Sequence, residues 1–127
     1  MNGEDLLGRF RASTDGELLL RLRSARRGRY RSFALWHAEK FPALFLHLNE
    51  DIAYIHYFPR DDHAGFQASG MPLGHCPDSV HFLGLGGEPE SFEMTSDACL
   101  ECDVAIAAAV EFLRDPALPP SIRWVEL

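Results

Sequence analysis

The sequence predicts an α+β fold: a mainly antiparallel sheet of β-meander, hairpin and C-terminal strand, with two helices packed on one face. Three observations predict it. Residues 32–58 hold three apolar runs whose connections are too short for the dozen or more residues a parallel crossover needs. Helical periodicity lies on both sides of the β-like runs. At 127 residues, 46% hydrophobic and 24% charged, the chain has the size and composition of one domain with one core, so 1–127 reads as a single domain.

The elements follow in order. Thr14 and Glu17 have the spacing of a capping box, and Leu18, Leu22 and Ala25, widened by Leu19, mark one helical face. Gly28 stands where such a helix stops, which predicts a helix over about Asp15–Arg27. Ser32–His37, Ala43–Asn49 and Ile52–Phe58 read as strands, separated by Lys40-Phe41-Pro42 and Asn49-Glu50-Asp51. Pro59–Asp78 reads as mostly loop, with a short strand near Phe66–Ser69. Ser79–Leu85 and Ser91–Met94 form a pair across Gly86-Gly87-Glu88-Pro89-Glu90. Cys102 or Asp103 caps an alanine-rich helix to about Arg114, with Ile106, Val110 and Leu113 as its buried stripe and Pro116 as its stop. Ile122–Glu126 is the last strand.

The formal charge is −7, distributed unevenly: about +4 up to Arg31 and −11 beyond it. The basic part is concentrated in Arg21, Arg23, Arg26, Arg27, Arg29 and Arg31. Such a cluster can hold phosphates, which gives the reading of a small nucleic-acid-binding module. We favour the solvated C-terminal part of a helix, where cations offset the macrodipole. The acidic body disfavours phosphate and favours a basic partner. The longest wholly apolar run, Val104–Val110, is far short of the roughly 20 residues of a membrane span. No signal peptide is visible, and three cysteines do not suggest a disulfide scaffold, so a cytoplasmic location is expected.

One motif suggests an enzyme. His37-Ala38-Glu39 and Cys99-Leu100-Glu101-Cys102 echo the H-x-E and C-x-x-C of zinc-dependent nucleobase deaminases, where His and both Cys hold metal and Glu moves protons. Against it, Ala98 replaces the proline before the first Cys, the His-Ala-Glu segment lies between strands, and 59 residues separate Glu39 from Cys99. A structural zinc site would need His75 and Cys76 as its second half, and adjacent side chains diverge. Cys99–Cys102 as a redox pair lacks a thioredoxin-like βαβ context. Gly84-Leu85-Gly86-Gly87 is followed by acidic residues and no helix, which suits a turn and not a phosphate cradle. His47 and His56 read as strand residues packed among aromatics. No catalytic residue, metal ligand or cofactor is expected.

Two blocks carry a resemblance: Asp51-Ile52-Ala53-Tyr54-Ile55-His56-Tyr57-Phe58-Pro59 running on through His63-Ala64-Gly65-Phe66, and Leu118-Pro119-Pro120-Ser121-Ile122-Arg123-Trp124-Val125-Glu126-Leu127 after an alanine-rich helix. Over residues 32–127 the sequence resembles the first-numbered immunity-protein family of bacterial polymorphic toxin systems. The resemblance implies a small α+β protein that binds a cognate toxin in the cytoplasm. Such toxins are often nucleic-acid deaminases or nucleases. A toxin of that kind needs a positive groove, which an acidic protein can fill. The partner-binding residues expected are the loop carboxylates Asp61, Asp62, Glu88 and Glu90, with His63 and Phe66 as packing anchors. Tyr54 and Tyr57 join them if one sheet face is open. Neither a membrane nor direct nucleic-acid binding is expected.

Overall fold

The computed structural model describes residues 1–24, 29–69 and 78–127. In chain order the elements are β1 (Asn2–Asp5), β2 (Gly8–Arg11), α1 (Asp15–Ser24), β3 (Tyr30–Trp36), β4 (Ala43–Asn49), β5 (Ile52–Phe58), β6 (Phe66–Ala68), β7 (Ser79–Gly84) and β8 (Gly87–Thr95). A single 3₁₀ turn (Ser96–Ala98) leads to β9 (Leu100–Glu101), α2 (Cys102–Arg114) and β10 (Trp124–Glu126). The main sheet runs β10-β6-β5-β4-β3-β1-β2, with β9 added beside β5 and every pairing antiparallel. The α+β architecture is the one the sequence predicts.

The meander forms where the apolar alternation falls. β4 and β5 keep the bounds read from sequence, and Asn49 pairs with Ile52 across a tight turn in which Glu50 takes a positive φ of 55°. Antiparallel register sorts the side chains with a period of two. Phe33, Leu35, Leu44, Leu46, Leu48, Ala53, Ile55 and Tyr57 share one face and form the larger core with both helices. Tyr30, Ser32, Ala34, Trp36, Phe45, His47, Asn49, Tyr54, His56 and Phe58 share the other.

The capping box forms: Thr14 Oγ1 accepts the Glu17 N–H at 3.1 Å, and a Glu17 carboxylate oxygen accepts the Ser13 N–H at 3.4 Å. Leu18 and Leu22 are fully buried; the Ala25 and Gly28 parts of the helix reading lie outside the described residues. In α2 the buried residues are Ala105, Ile106, Ala108, Ala109 and Phe112; Ile106 is as expected, whereas Val110 and Leu113 pack against the core only partly buried. Phe112, fully buried, meets the rings of Tyr57 and His37. Glu101, and neither Cys102 nor Asp103, occupies the N-cap position.

The sequence reading missed the N-terminal hairpin. Asn2-Gly3-Glu4-Asp5 has poor strand propensity, yet β1 is paired on both sides, by β2 and β3. The Phe10 ring packs directly on Gly3, where a Cβ would run into the ring. β8 is also longer than expected, passing through Pro89, and β10 begins at Trp124 and not at Ile122.

Candidate functional site: an interaction face at one end of the sheet

The hairpin β7–β8 lies on the sheet face opposite the helices. Val80, Phe82 and the ring of Tyr54 form a second apolar cluster with Ala98 and Cys99, and Ile52, Phe92 and Met94 pack against it. Two polar clamps fix its position. Asn49 Nδ2 donates to the His81 carbonyl at 2.8 Å. His47 Nδ1 lies 3.2 Å from the Leu83 carbonyl, to which it donates, and 2.8 Å from Ser32 Oγ. His47 is 7% exposed, and burial pushes its pKa down to about 4; nearby His56 adds to the shift and the Leu83 carbonyl opposes it.

These clamps also set the direction of the hairpin. Successive β7 carbonyls meet earlier β4 residues, His81 at Asn49 and Leu83 at His47. The turn after β7 therefore heads toward the end of β4 at Ala43, which pairs with Phe58, where β5 leaves into residues 59–65. The hairpin turn and the acidic loop consequently belong to the same end of the sheet.

Of the residues expected to meet a partner, several are committed to holding the fold. Tyr54 and Tyr57, 5% and 7% exposed, lie on opposite sheet faces; Tyr54 is covered by the hairpin and Tyr57 faces Phe112 and Trp124. Their expected role as open-face contacts is corrected: both faces are covered at these positions. His63 receives the Gly65 N–H at Nδ1 (2.7 Å) and donates from Nε2 to Glu126 (2.7 Å), so it ties the loop to β10. Phe66 is stacked under it, with centroids 5.3 Å apart. Glu90 turns back and accepts the Gly86 N–H at 2.8 Å, clamping the hairpin turn. Asp62 pairs with Arg60 at 2.7 Å, both well exposed. Asp61 is exposed and makes no ion pair among the described residues. The Glu88 side chain lies outside what the structure describes.

The same end carries a feature the sequence reading did not single out. Trp36, Phe45, His56 and Phe58 share the hairpin-side face and are all partly exposed. Phe45 meets Phe58 edge-on at 5.4 Å, and His56 stacks on Phe58 at 4.0 Å and 15°. His56 Nε2 donates to the Ala64 carbonyl at 2.9 Å, and burial lowers the His56 pKa, with that carbonyl opposing the shift. Tyr54 donates its hydroxyl to Gln67 Oε1 at 3.1 Å, beside His56 Nδ1 at 3.3 Å. The signal was present as alternation, since each of these residues is an outward position next to a core-facing Leu, Ile or Tyr. Recognising it required knowing that the hairpin stops short of them.

The deaminase-like residues are held apart. His37 Nε2 donates to the Phe112 carbonyl near the C-terminal end of α2, whereas Cys102 opens that helix. A separation of ten residues along a helix is about 15 Å, too far for two ligands on one zinc ion at bonds of about 2 Å. Cys99 is buried under the hairpin. Among the described residues no three His, Cys, Asp or Glu side chains come together to hold a metal; His75 and Cys76 lie outside them. Three of the four described arginines of the cluster, all but Arg23, are occupied too. Arg21 pairs with Asp5, Arg29 bonds Asn49 Oδ1 at 2.9 Å, and Arg31 donates to the Leu22 carbonyl at 2.8 Å. Arg26 and Arg27 lie outside the described residues. Among those described, no helix is long and apolar enough to cross a membrane.

The fold and this face define a two-sided antiparallel sheet protein with helices on one side and a clamped hairpin on the other. Compared with protein-family models and with curated proteins, the chain matches none.

Proposed function

We propose that the chain is an immunity protein that neutralises a cognate bacterial toxin by covering a cationic, nucleic-acid-binding cleft. The observation that carries this reading is the shared end of the sheet, where an acidic loop and the acidic first half of β8 flank partly exposed aromatic rings. Interfaces of this kind combine aromatic anchors with a charged rim that steers approach. The overall charge of −7 supports a basic partner, and the resemblance of residues 51–66 and 118–127 to immunity proteins supports a toxin as that partner. Asp61 and Asp62 are the residues proposed to meet the cleft first, with Glu88 and Glu90 beside them.

Co-expression with the product of the neighbouring gene tests the proposal. The two proteins are expected to co-purify with a Kd on the order of nanomolar, about −12 kcal/mol, and the chain is expected to protect cells from that product. A neighbouring product that neither binds nor harms cells would remove the reading. So would full protection by a folded variant in which Asp61, Asp62 and Glu90 are all alanine.

A further inference from the structure

Building on that reading, we infer that the surface formed by Trp36, Phe45, His56 and Phe58 seats an arginine side chain of the partner. Shape is the first argument. Trp36 and Phe58 flank Ala43 in one cross-strand row, and Ala43 is only 3% exposed. No gap opens at Ala43 between them, and beside it Phe45, His56 and Phe58 touch one another as a platform of rings. A planar guanidinium stacks on such a platform and is attracted by the ring quadrupoles; a compact, strongly hydrated ammonium gains less.

Charge is the second argument. The connecting segments at this end carry Glu39, Asp61 and Asp62, and β8 adds Glu90, against Lys40 and Arg60, of which Arg60 is already held by Asp62. The same face also bears Arg9 and Arg11, but on β2, two strands beyond β3 and so roughly 10 Å away. His56 faces the platform with its Nε2–H bonded to Ala64, and its lowered pKa keeps the ring neutral near pH 7, so it does not repel a cation. An apolar partner side chain would gain less here, because the platform is bordered by carboxylates.

Hexa-arginine and hexa-lysine peptides, equal in charge, separate ring stacking from simple attraction when titrated into the protein and followed by NMR. Hexa-arginine is expected to bind about fivefold or more tightly than hexa-lysine. It should shift the Trp36 indole signal and leave that of Trp124, whose Nε1 is bonded to the Pro119 carbonyl, in place. Phe45→Leu and Phe58→Leu should erase the preference by weakening hexa-arginine more than hexa-lysine; Asp61→Ala should weaken both peptides alike. Equal binding of the two peptides, or an unmoved Trp36 signal, overturns the inference without requiring any variant to fold. An arginine preference in a protein that protects against no toxin would keep the platform and discard the toxin reading. A toxin complex unweakened by the leucine variants would do the reverse.

Discussion

Arg21 grips Asp5 with two hydrogen bonds, Nε to Oδ2 at 2.9 Å and Nη2 to Oδ1 at 3.0 Å, and so ties helix α1 to the N-terminal hairpin. The Asp5 side chain is 4% exposed, the Arg21 guanidinium lies over the Phe10 ring at 4.7 Å, and Asp5 Oδ1 also accepts the Leu7 N–H at 2.9 Å. This arginine belongs to a basic cluster that suggests phosphate binding in the sequence, yet its charge is spent inside the fold. Removing one partner of such a pair leaves the other charge partly buried and unpaired. Asp5→Ala is therefore expected to cost about 3 kcal/mol in urea unfolding. A loss below about 1 kcal/mol would show that the pair does not hold the hairpin.

Gly65 sits at φ +95°, and a Cβ there would meet His56 Nε2 as well as the Tyr57 carbonyl at 2.8 Å. Both the backbone conformation and the close approach call for glycine. Gly65→Ala is expected to destabilise the protein by at least about 2 kcal/mol. It should also displace His56 from the Ala64 carbonyl, visible as a shift of the His56 ring signals.

His47 gives a pH dependence of definite sign. Its pKa falls from the ordinary 6.5 to about 4 in the folded chain, so the unfolded chain binds the proton first. The stability it contributes is complete above about pH 6.5, declines as pH falls toward 4, and is fully lost below that. The difference is on the order of 3 kcal/mol. Compared with the wild type, His47→Gln should flatten the fall in stability between pH 6.5 and 4. Parallel slopes for the two proteins would rule this account out.

Tyr54 is pushed up to about 12, chiefly by burial and secondarily by Cys99 nearby. A folded pKa above the unfolded value of about 10 means that its share of stability is intact below pH 10 and is lost as pH rises toward 12. Ultraviolet titration of the wild type minus Tyr54→Phe should isolate a phenol ionising near 12. The same substitution removes the bond to Gln67 and should cost about 1 kcal/mol at neutral pH.

Local sequence determined most of the elements. Leu44, Leu46 and Leu48, with Ala53, Ile55 and Tyr57 on the next strand, each two apart, leave one sheet register that buries them all, and Thr14 with Glu17 marks a helix start by chemistry that acts within four residues. The arrangement of charge was equally legible, since it is a property of composition. What tertiary structure decided lies in long-range pairing. Asn2–Asp5 becomes a strand only because β3 and β2 flank it, against its own propensity. Glu101 meets Ile52 to form β9, 49 residues apart in the chain. The uses of Arg21, Glu90 and His63, and the enclosure of Tyr54, depend on which partner each side chain finds. The same residues in a differently placed hairpin would be surface groups. The aromatic platform exists for that reason as well: alternation turned Trp36, Phe45, His56 and Phe58 outward, and the clamps at His47 and Asn49 fixed how much of that face the hairpin covers.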